Sequence, residues 1–487
     1  MKYDIPTEVQ DTVSVLWAKG YQAYVVGGCV RDLFLGKKPK DWDIATSAKP
    51  EEIQQIFPAS FYENKFFTVT VHTESEDPTL KEIEITTFRA DIAYGDRRHP
   101  EQIEYAKTIE EDLARRDFTM NAIALHAKDK EVEVLDPFAG QRDIEAKTIR
   151  AVGDPDQRFQ EDALRMMRAV RFFATLGFTI EPATRKAIEK HSALIREISQ
   201  ERIRDEFIKI LMSDAPMEAL EELRQLGLLS HFLPELEEGY GVGQNKHHIY
   251  TVWEHNVRSL QYAARQKQDL IVRLASLLHD VAKPRVKQGE GPDSTFYGHQ
   301  VVGAKMTKKI LERLKFPKEV VETVSLLVRE HMFVYDPETV TLKGVRRLLA
   351  RVGTEHIDEL FQLREADRIG SGVPKAQPYR LRYLKAMVDK VRQDPISPKM
   401  LKINGDTIME TLKIGPGPKI GAILAILLED VLDDPALNTK EYLEKRVFEL
   451  AKLSEQELED MAAKAKQSAQ LTQDRVDEEL KKKYFVQ

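Results

Sequence analysis

The sequence predicts an α+β protein in which a small α/β head is followed by a long, mostly helical remainder. Two patterns carry this expectation. Up to about residue 143, short β-like runs at 24–26, 67–72, 83–88 and 132–135 alternate with helical segments, as a sheet flanked by helices requires. Beyond Phe159 the β signal fades and helical periodicity continues almost to the end. The expected boundaries are 1–143 for the head, 144–240 for a helical neck and body, and 245–375 for a histidine-rich helical domain. A C-terminal helical region at 376–450 and a charged helical tail at 451–487 complete the division. Gly239-Tyr240-Gly241-Val242-Gly243-Gln244 marks a glycine-rich break, and residues 374–398 hold another irregular stretch. From Ser454 the chain is rich in Ala, Glu, Gln and Lys with little apolar content, which reads as an exposed helix or a frayed tail.

A chain of 487 residues is long enough for several domains with substantial cores. Its 42% hydrophobic and 31% charged content is ordinary for a soluble protein. No apolar run reaches membrane-spanning length, and Met1-Lys2-Tyr3-Asp4 does not begin a signal peptide. The single cysteine, Cys29, excludes an internal disulfide and a cysteine-based zinc site, so a reducing cytoplasm is the expected location. The net charge of −7 does not advertise nucleic-acid binding, although a local basic cleft can hold RNA on an acidic protein.

The head carries the chemistry. Tyr24-Val25-Val26 reads as a short buried strand, Gly27-Gly28 as a tight turn with exposed N–H groups, and Val30-Arg31-Asp32-Leu33 as the opening of a helix. Strand–turn–helix suits an anionic phosphate, with Gly28 and Arg31 beside it. A second strand is expected around Trp42-Asp43-Ile44-Ala45. Residues two apart on a strand share a face, so Asp41 and Asp43 present their carboxylates together. Two carboxylates beside a phosphate-binding turn are what Mg²⁺ needs to bridge protein and triphosphate. Ile83-Glu84-Ile85-Thr86-Thr87 alternates as a third strand, so Glu84 projects as a candidate third carboxylate, and Glu82 shares its parity.

These residues, together with further blocks, resemble the catalytic head of polymerase-β-type nucleotidyltransferases. The similarity is to the bacterial class II family that includes tRNA CCA-adding enzymes and poly(A) polymerases. Within it, Glu84 is the implied third carboxylate. The segment 89–100 looks like the loop the family uses in adding the terminal adenosine. Arg115-Arg116-Asp117-Phe118-Thr119-Met120-Asn121 matches a family signature, which implies a triphosphate contact for Arg116, with Asn121 also at the nucleotide. Glu161-Asp162-Ala163-Leu164-Arg165-Met166-Met167-Arg168-Ala169-Val170-Arg171 matches another. Read as one helix, Asp162, Arg165 and Arg168 form a polar stripe. The resemblance implies that this stripe imitates a template base: arginine donors meet N3 and O2 of cytosine, and the carboxylate accepts from its amino group. Adenine offers an equivalent amino group, whereas guanine and uracil present a carbonyl that the carboxylate repels. Arg168 and Arg171 match positions that contact nucleotide.

Leu277-Leu278-His279-Asp280-Val281-Ala282-Lys283-Pro284 is similar to the HD phosphohydrolase signature, and the blocks around His299 and His331 resemble its downstream elements. The implied ligands are His255, His279, Asp280, His299, His331 and Asp367, for Mn²⁺, Ni²⁺, Fe²⁺ or Mg²⁺. His247 and His248 fall outside the pattern and read as surface residues. The implied HD activity is on 2′,3′-cyclic phosphate and phosphomonoester ends. Residues 408–421 resemble a turn in the family's C-terminal part whose glycines admit an RNA phosphate, and a plain helix–turn–helix link explains them nearly as well. The expected partners are tRNA, CTP and ATP, with Mg²⁺ at the head and template-independent addition of the 3′ CCA. The alternatives are A-only or CC-only addition, poly(A) synthesis, and an HD phosphohydrolase with a nucleotide-binding head.

Overall fold

A computed structural model describes residues 4–63, 68–89, 105–128, 131–245 and 249–465. Most of the expected adenosine loop, His247, His248 and the far tail lie outside these residues. The chain forms two compact units, Met1–Glu237 with Arg313–Phe316, and Glu238–Glu312 with Pro317–Gln487.

The first unit begins with a seven-stranded sheet. Its strands are β1 (Ala23–Val26), β2 (Asp43–Thr46), β3 (Ser60–Glu63), β4 (Thr68–His72), β5 (Glu82–Thr87), β6 (Ala124–Lys128) and β7 (Glu131–Leu135). They lie in the order β3-β4-β5-β2-β1-β6-β7. All neighbouring pairs are antiparallel except β2 with β5, whose parallel register sets Asp43 directly beside Glu84. Tyr24, Val26, Ala45, Phe88, Ile109, Leu113 and Ala124 bury one face of the centre of the sheet. β6 was not foreseen, because Ala122-Ile123-Ala124-Leu125 is buried throughout and shows no alternation. Ahead of it, Thr119–Asn121 forms only one 3₁₀ turn. A small parallel pair, β8 (Thr148–Ile149) with β9 (Thr179–Ile180), also escapes the expectation of helix alone beyond Phe159. Helices Pro155–Glu161, Leu164–Leu176, Pro182–His191, Gln200–Leu211 and Pro216–Gln225 make most of the rest of the unit beyond the sheet.

The second unit is helical. Val252–Arg265, Leu270–Leu278, His299–Arg313, Lys318–Glu330, Leu342–Val352 and Ile357–Gly370 make its first part. Val252–Arg265 and Ile357–Gly370 lie unusually close where Gly370 meets Ser259. A Cβ on Gly370 would stand 2.0 Å from Ser259 Oγ and 2.8 Å from the His255 carbonyl. Tyr379–Val391, Gly405–Leu412, Pro418–Asp433 and Lys440–Leu450 follow, around a core of Ile408, Ile423, Leu427, Val431 and Leu443. At the start of the expected charged tail, residues 455–465 are helical and mostly exposed, with Leu458 and Ala462 buried in that core. The 408–421 segment is a helix–turn–helix link whose left-handed residue is Lys413, with φ 52°, and Gly417 is extended.

Candidate functional site

The turn after β1 depends on glycine twice over. Gly27 has φ 83°, and a Cβ there would lie 3.0 Å from Asp43 Oδ2 and 3.2 Å from an Arg116 nitrogen. The missing side chain therefore lets the turn close against the start of β2. A cavity of about 880 Å³, within the size range of ligand sites, opens there. Asp41, Asp43, Glu84, Gly28, Arg31, Arg116, Asn121, Asp162, Arg165, Arg168 and Arg171 all line it. Asp41 sits just ahead of β2 rather than on it. Glu82, the alternative to Glu84, lies away from the cavity with His72 Nδ1 3.6 Å from its carboxylate. Burial, then Glu84 and Asp41, push the Asp43 carboxyl up to about 7 against the opposing pull of Arg116. Glu84 and Asp41 thus raise the proton affinity of Asp43, and three carboxylates lining one cavity are the oxygen donors that a hard divalent cation takes.

The same cavity is lined by arginines, several of them held by buried acids. Asp112, 1% exposed, accepts from Arg115 at 2.8 Å and Arg116 at 3.0 Å. Burial would raise its carboxyl, but the two guanidiniums hold it below the usual range. Sequence reading missed Asp112, which sits on the short helix Ile109–Ala114 just ahead of the two arginines, although its spacing of three and four residues to them was a visible signal. Asp117 receives Arg168 Nε at 2.7 Å and Asn121 Nδ2 at 3.1 Å, while Asn121 Oδ1 accepts from Arg31 Nη1 at 2.9 Å. Arg168 and these hydrogen bonds outweigh burial and hold Asp117 down at about 2. The Phe172 ring, also missed, lies 4.3 Å from the Arg171 guanidinium and 5.3 Å from that of Arg31.

One expectation about these arginines is corrected. Asp162 is not on the helix with Arg165 and Arg168, because it is the extended residue that ends Pro155–Glu161 before Leu164–Leu176 begins. Its Oδ1 accepts from the Leu164 N–H at 3.1 Å, the local competition by which aspartate interrupts helices. Its Oδ2 accepts from Arg202 at 2.8 Å. The helical stripe is instead Arg165, Arg168 and Arg171. Arg165 donates to Glu161 at 2.7 Å and to the Arg115 carbonyl at 2.8 Å, so its fork is already fixed.

In the second unit six side chains from five segments converge. His255 lies within Val252–Arg265, and His279 and Asp280 follow the end of Leu270–Leu278. His299 starts its helix, His331 ends Lys318–Glu330, and Asp367 lies within Ile357–Gly370. They make two groups able to hold a metal ion, His255 with His279 and Asp367, and Asp280 with His299 and His331. Asp280 faces both: Oδ2 lies 3.1 Å from His255 Nε2, and Oδ1 3.3 Å from His299 Nε2. The Nδ1 atoms of His299 and His331 stand 2.8 and 2.6 Å from the Phe296 and Val328 carbonyls, which assigns the proton to Nδ1 in each ring. Their Nε2 lone pairs then confront one another at 3.2 Å, an arrangement that a cation relieves. Burial, with His279 and His299 nearby, pushes His331 down to about 3, so a proton does not serve there. Lys283 Nζ, unforeseen, lies 2.6 Å from Asp280 Oδ2 and donates to Gln244 at 2.7 Å.

The family model for the poly A polymerase head domain matches residues 23–150. The probable RNA and SrmB-binding site of polymerase A matches 177–239, and the HD domain matches 252–371. The CCA-adding enzyme of Geobacillus thermodenitrificans is 49% identical over 220 residues, 45% of this chain and 52% of that protein. That of Bacillus cereus is 45% identical over 225 residues, 46% of this chain and 55% of the relative. The chain thus spans about half the length of the curated relatives it matches. The crystal structure of the Bacillus stearothermophilus CCA-adding enzyme in complex with CTP is similar over 91% of this chain and 96% of that one, at 30% identity and a TM-score of 0.67. With matches to a polymerase head, to the polymerase A segment and to an HD domain in that order, and with this likeness along nearly its whole length, the chain belongs to the CCA-adding enzyme family of nucleotidyltransferases.

Proposed function

We propose that the protein is a template-independent tRNA nucleotidyltransferase that completes or repairs the 3′-terminal CCA from CTP and ATP. The observation that carries this reading is the cavity where Asp41, Asp43 and Glu84 face Arg31, Arg116, Arg168 and Arg171. Divalent cations held by the three carboxylates, Mg²⁺ being the expected ion, would polarise the α-phosphate and offset the charge of the departing pyrophosphate. The chain's own residues do the rest. Asp112 locks Arg116 toward the triphosphate, and the Arg31–Asn121–Asp117–Arg168 network keeps the nucleotide wall rigid before substrate arrives. Asp162, oriented by Leu164 N–H and Arg202, accepts from the amino group of cytosine or adenine, and the remaining N–H groups of Arg165 meet the ring. A bidentate base contact discriminates by roughly 1–3 kcal/mol, so selection also requires that only the right base set the α-phosphate in line. Relatives that bear the name CCA-adding enzyme, one of them in complex with CTP, support the same reading.

The HD centre extends it. His255, His279, Asp280, His299, His331 and Asp367 suit divalent ions, transition metals or Mg²⁺, for hydrolysis of 2′,3′-cyclic phosphate and phosphomonoester ends. Clearing a blocked end exposes the 3′-hydroxyl that nucleotide addition needs.

The test offers tRNA transcripts ending before CCA, after CC, or complete, with CTP and ATP separately and together. CC, then A, then arrest is the expected pattern. A-only growth on the CC-ending transcript, or unlimited A growth, would replace the reading with A-addition or poly(A) synthesis. Ordinary incorporation by Asp43→Ala would overturn the assignment of the site.

A further inference from the structure

Beside the HD centre the helix Ile357–Gly370 carries more than its metal-facing carboxylate. Asp367 Oδ1 lies 3.4 Å from His255 Nε2 and 3.7 Å from His279 Nε2. Its other oxygen is paired with Arg364, one turn earlier on the same face. Arg364 and Arg368 then both donate to one acceptor, the Tyr335 phenol oxygen, each at 3.1 Å. Among the described residues Arg368 has one other partner, the Lys375 carbonyl at 3.2 Å, and pairs with no carboxylate. The neighbouring acids are occupied, Asp336 by Arg380 at 3.1 Å and Glu365 by Lys385 at 2.7 Å. A phenol that accepts twice can still donate its own proton, and among the described residues the Tyr335 hydroxyl meets no acceptor. Two guanidiniums on one phenol, with a single carboxylate shared with the metal-facing histidines, leave a local positive charge. Such a charge is matched by a planar or tetrahedral oxyanion, for which the arginine fork is suited.

We propose that Arg368, Tyr335 and Arg364 form a phosphate subsite beside the HD centre. It holds a second phosphate of the substrate, so the site prefers an oligonucleotide end to a nucleotide with one phosphorus. The inference rests on the HD reading above and goes further by naming the substrate class.

The test compares two substrates with the full-length protein supplied with Mn²⁺ or Ni²⁺. One is a 2′,3′-cyclic mononucleotide with a free 5′-hydroxyl; the other is a dinucleotide ending in the same cyclic phosphate. The wild type should favour the dinucleotide in kcat/KM. Arg368→Gln should reduce that preference about 10- to 100-fold, the loss of one charge-assisted contact, through KM rather than kcat. Arg368→Lys should restore part of it, since charge returns without the fork. An unchanged preference in Arg368→Gln overturns the subsite alone. So does an equal fall on both substrates, or a loss of bound metal, which would assign the residue to holding Asp367. A wild type that hydrolyses neither substrate removes the HD reading, and the subsite with it.

Discussion

Replacing Asp43 by Asn should stabilise the metal-free protein at alkaline pH while stopping nucleotide addition. The Asp43 carboxyl rises from 3.8 to about 7 in the folded chain, through burial first and then through Glu84 and Asp41. For a carboxyl raised on folding, the sign is fixed: stability is full below about pH 4 and is lost as pH rises through about 7, because the unfolded chain ionises more readily. At about 1.4 kcal/mol for each tenfold change in proton affinity, the upper limit of this penalty is roughly 4 kcal/mol. Asp43 is only half-buried, and solvent reduces the expected value to roughly 1–3 kcal/mol. Asp43→Asn keeps the shape and removes the charge. In EDTA at pH 8 its unfolding midpoint should therefore exceed the wild type's by roughly 2–10 °C, on the scaling for units of this size. At pH 5 the difference should shrink, and Mg²⁺ should raise the wild type while leaving the variant nearly unmoved. Thermal unfolding at the two pH values, with EDTA or Mg²⁺, reads this directly. A variant less stable than the wild type at pH 8 in EDTA would refute the view that three crowded carboxylates await a cation.

Other outcomes follow from the same geometry. Asp162→Asn, which puts an amide donor where a carboxylate accepted, should lower the preference for CTP over UTP about 10- to 100-fold in primer-extension kinetics. Asp112→Asn should free Arg115 and Arg116 and cut kcat/KM for both triphosphates about tenfold or more, a loss in the range of a charge-assisted hydrogen bond. His299→Ala should halve the metal bound to the HD centre, measured by elemental analysis, because it dismantles only the Asp280–His299–His331 group. Gly370→Ala should force two helices apart where its Cβ would meet Ser259 Oγ at 2.0 Å. A cost of about 1–3 kcal/mol is expected for such overpacking, read as a lower urea midpoint together with reduced metal content.

Local features were legible without coordinates. Tyr24-Val25-Val26 followed by two glycines forms a strand and a turn whatever surrounds it, and the ends of helices near His279 and His331 follow from apolar runs that stop there. The candidate head residues converge because their motifs are short and sit at the ends of such elements. Parity between Glu82 and Glu84 could not be broken locally, since both point the same way along one strand. The parallel register of β2 with β5 separates them by setting Glu84 beside Asp43.

The order of motifs along the chain thus determined which chemical groups were present and which short elements carried them, since turn, strand and cap preferences act over a few residues. The tertiary fold alone decided which of those groups meet. Asp162 leaves the arginine helix because Leu164 N–H and Arg202 claim its carboxylate, and Asp117 joins Arg168 across 51 positions of chain. His255 reaches Asp367 because Gly370 lets two distant helices touch. Such contacts arise from packing between segments far apart in sequence, where periodicity carries no information.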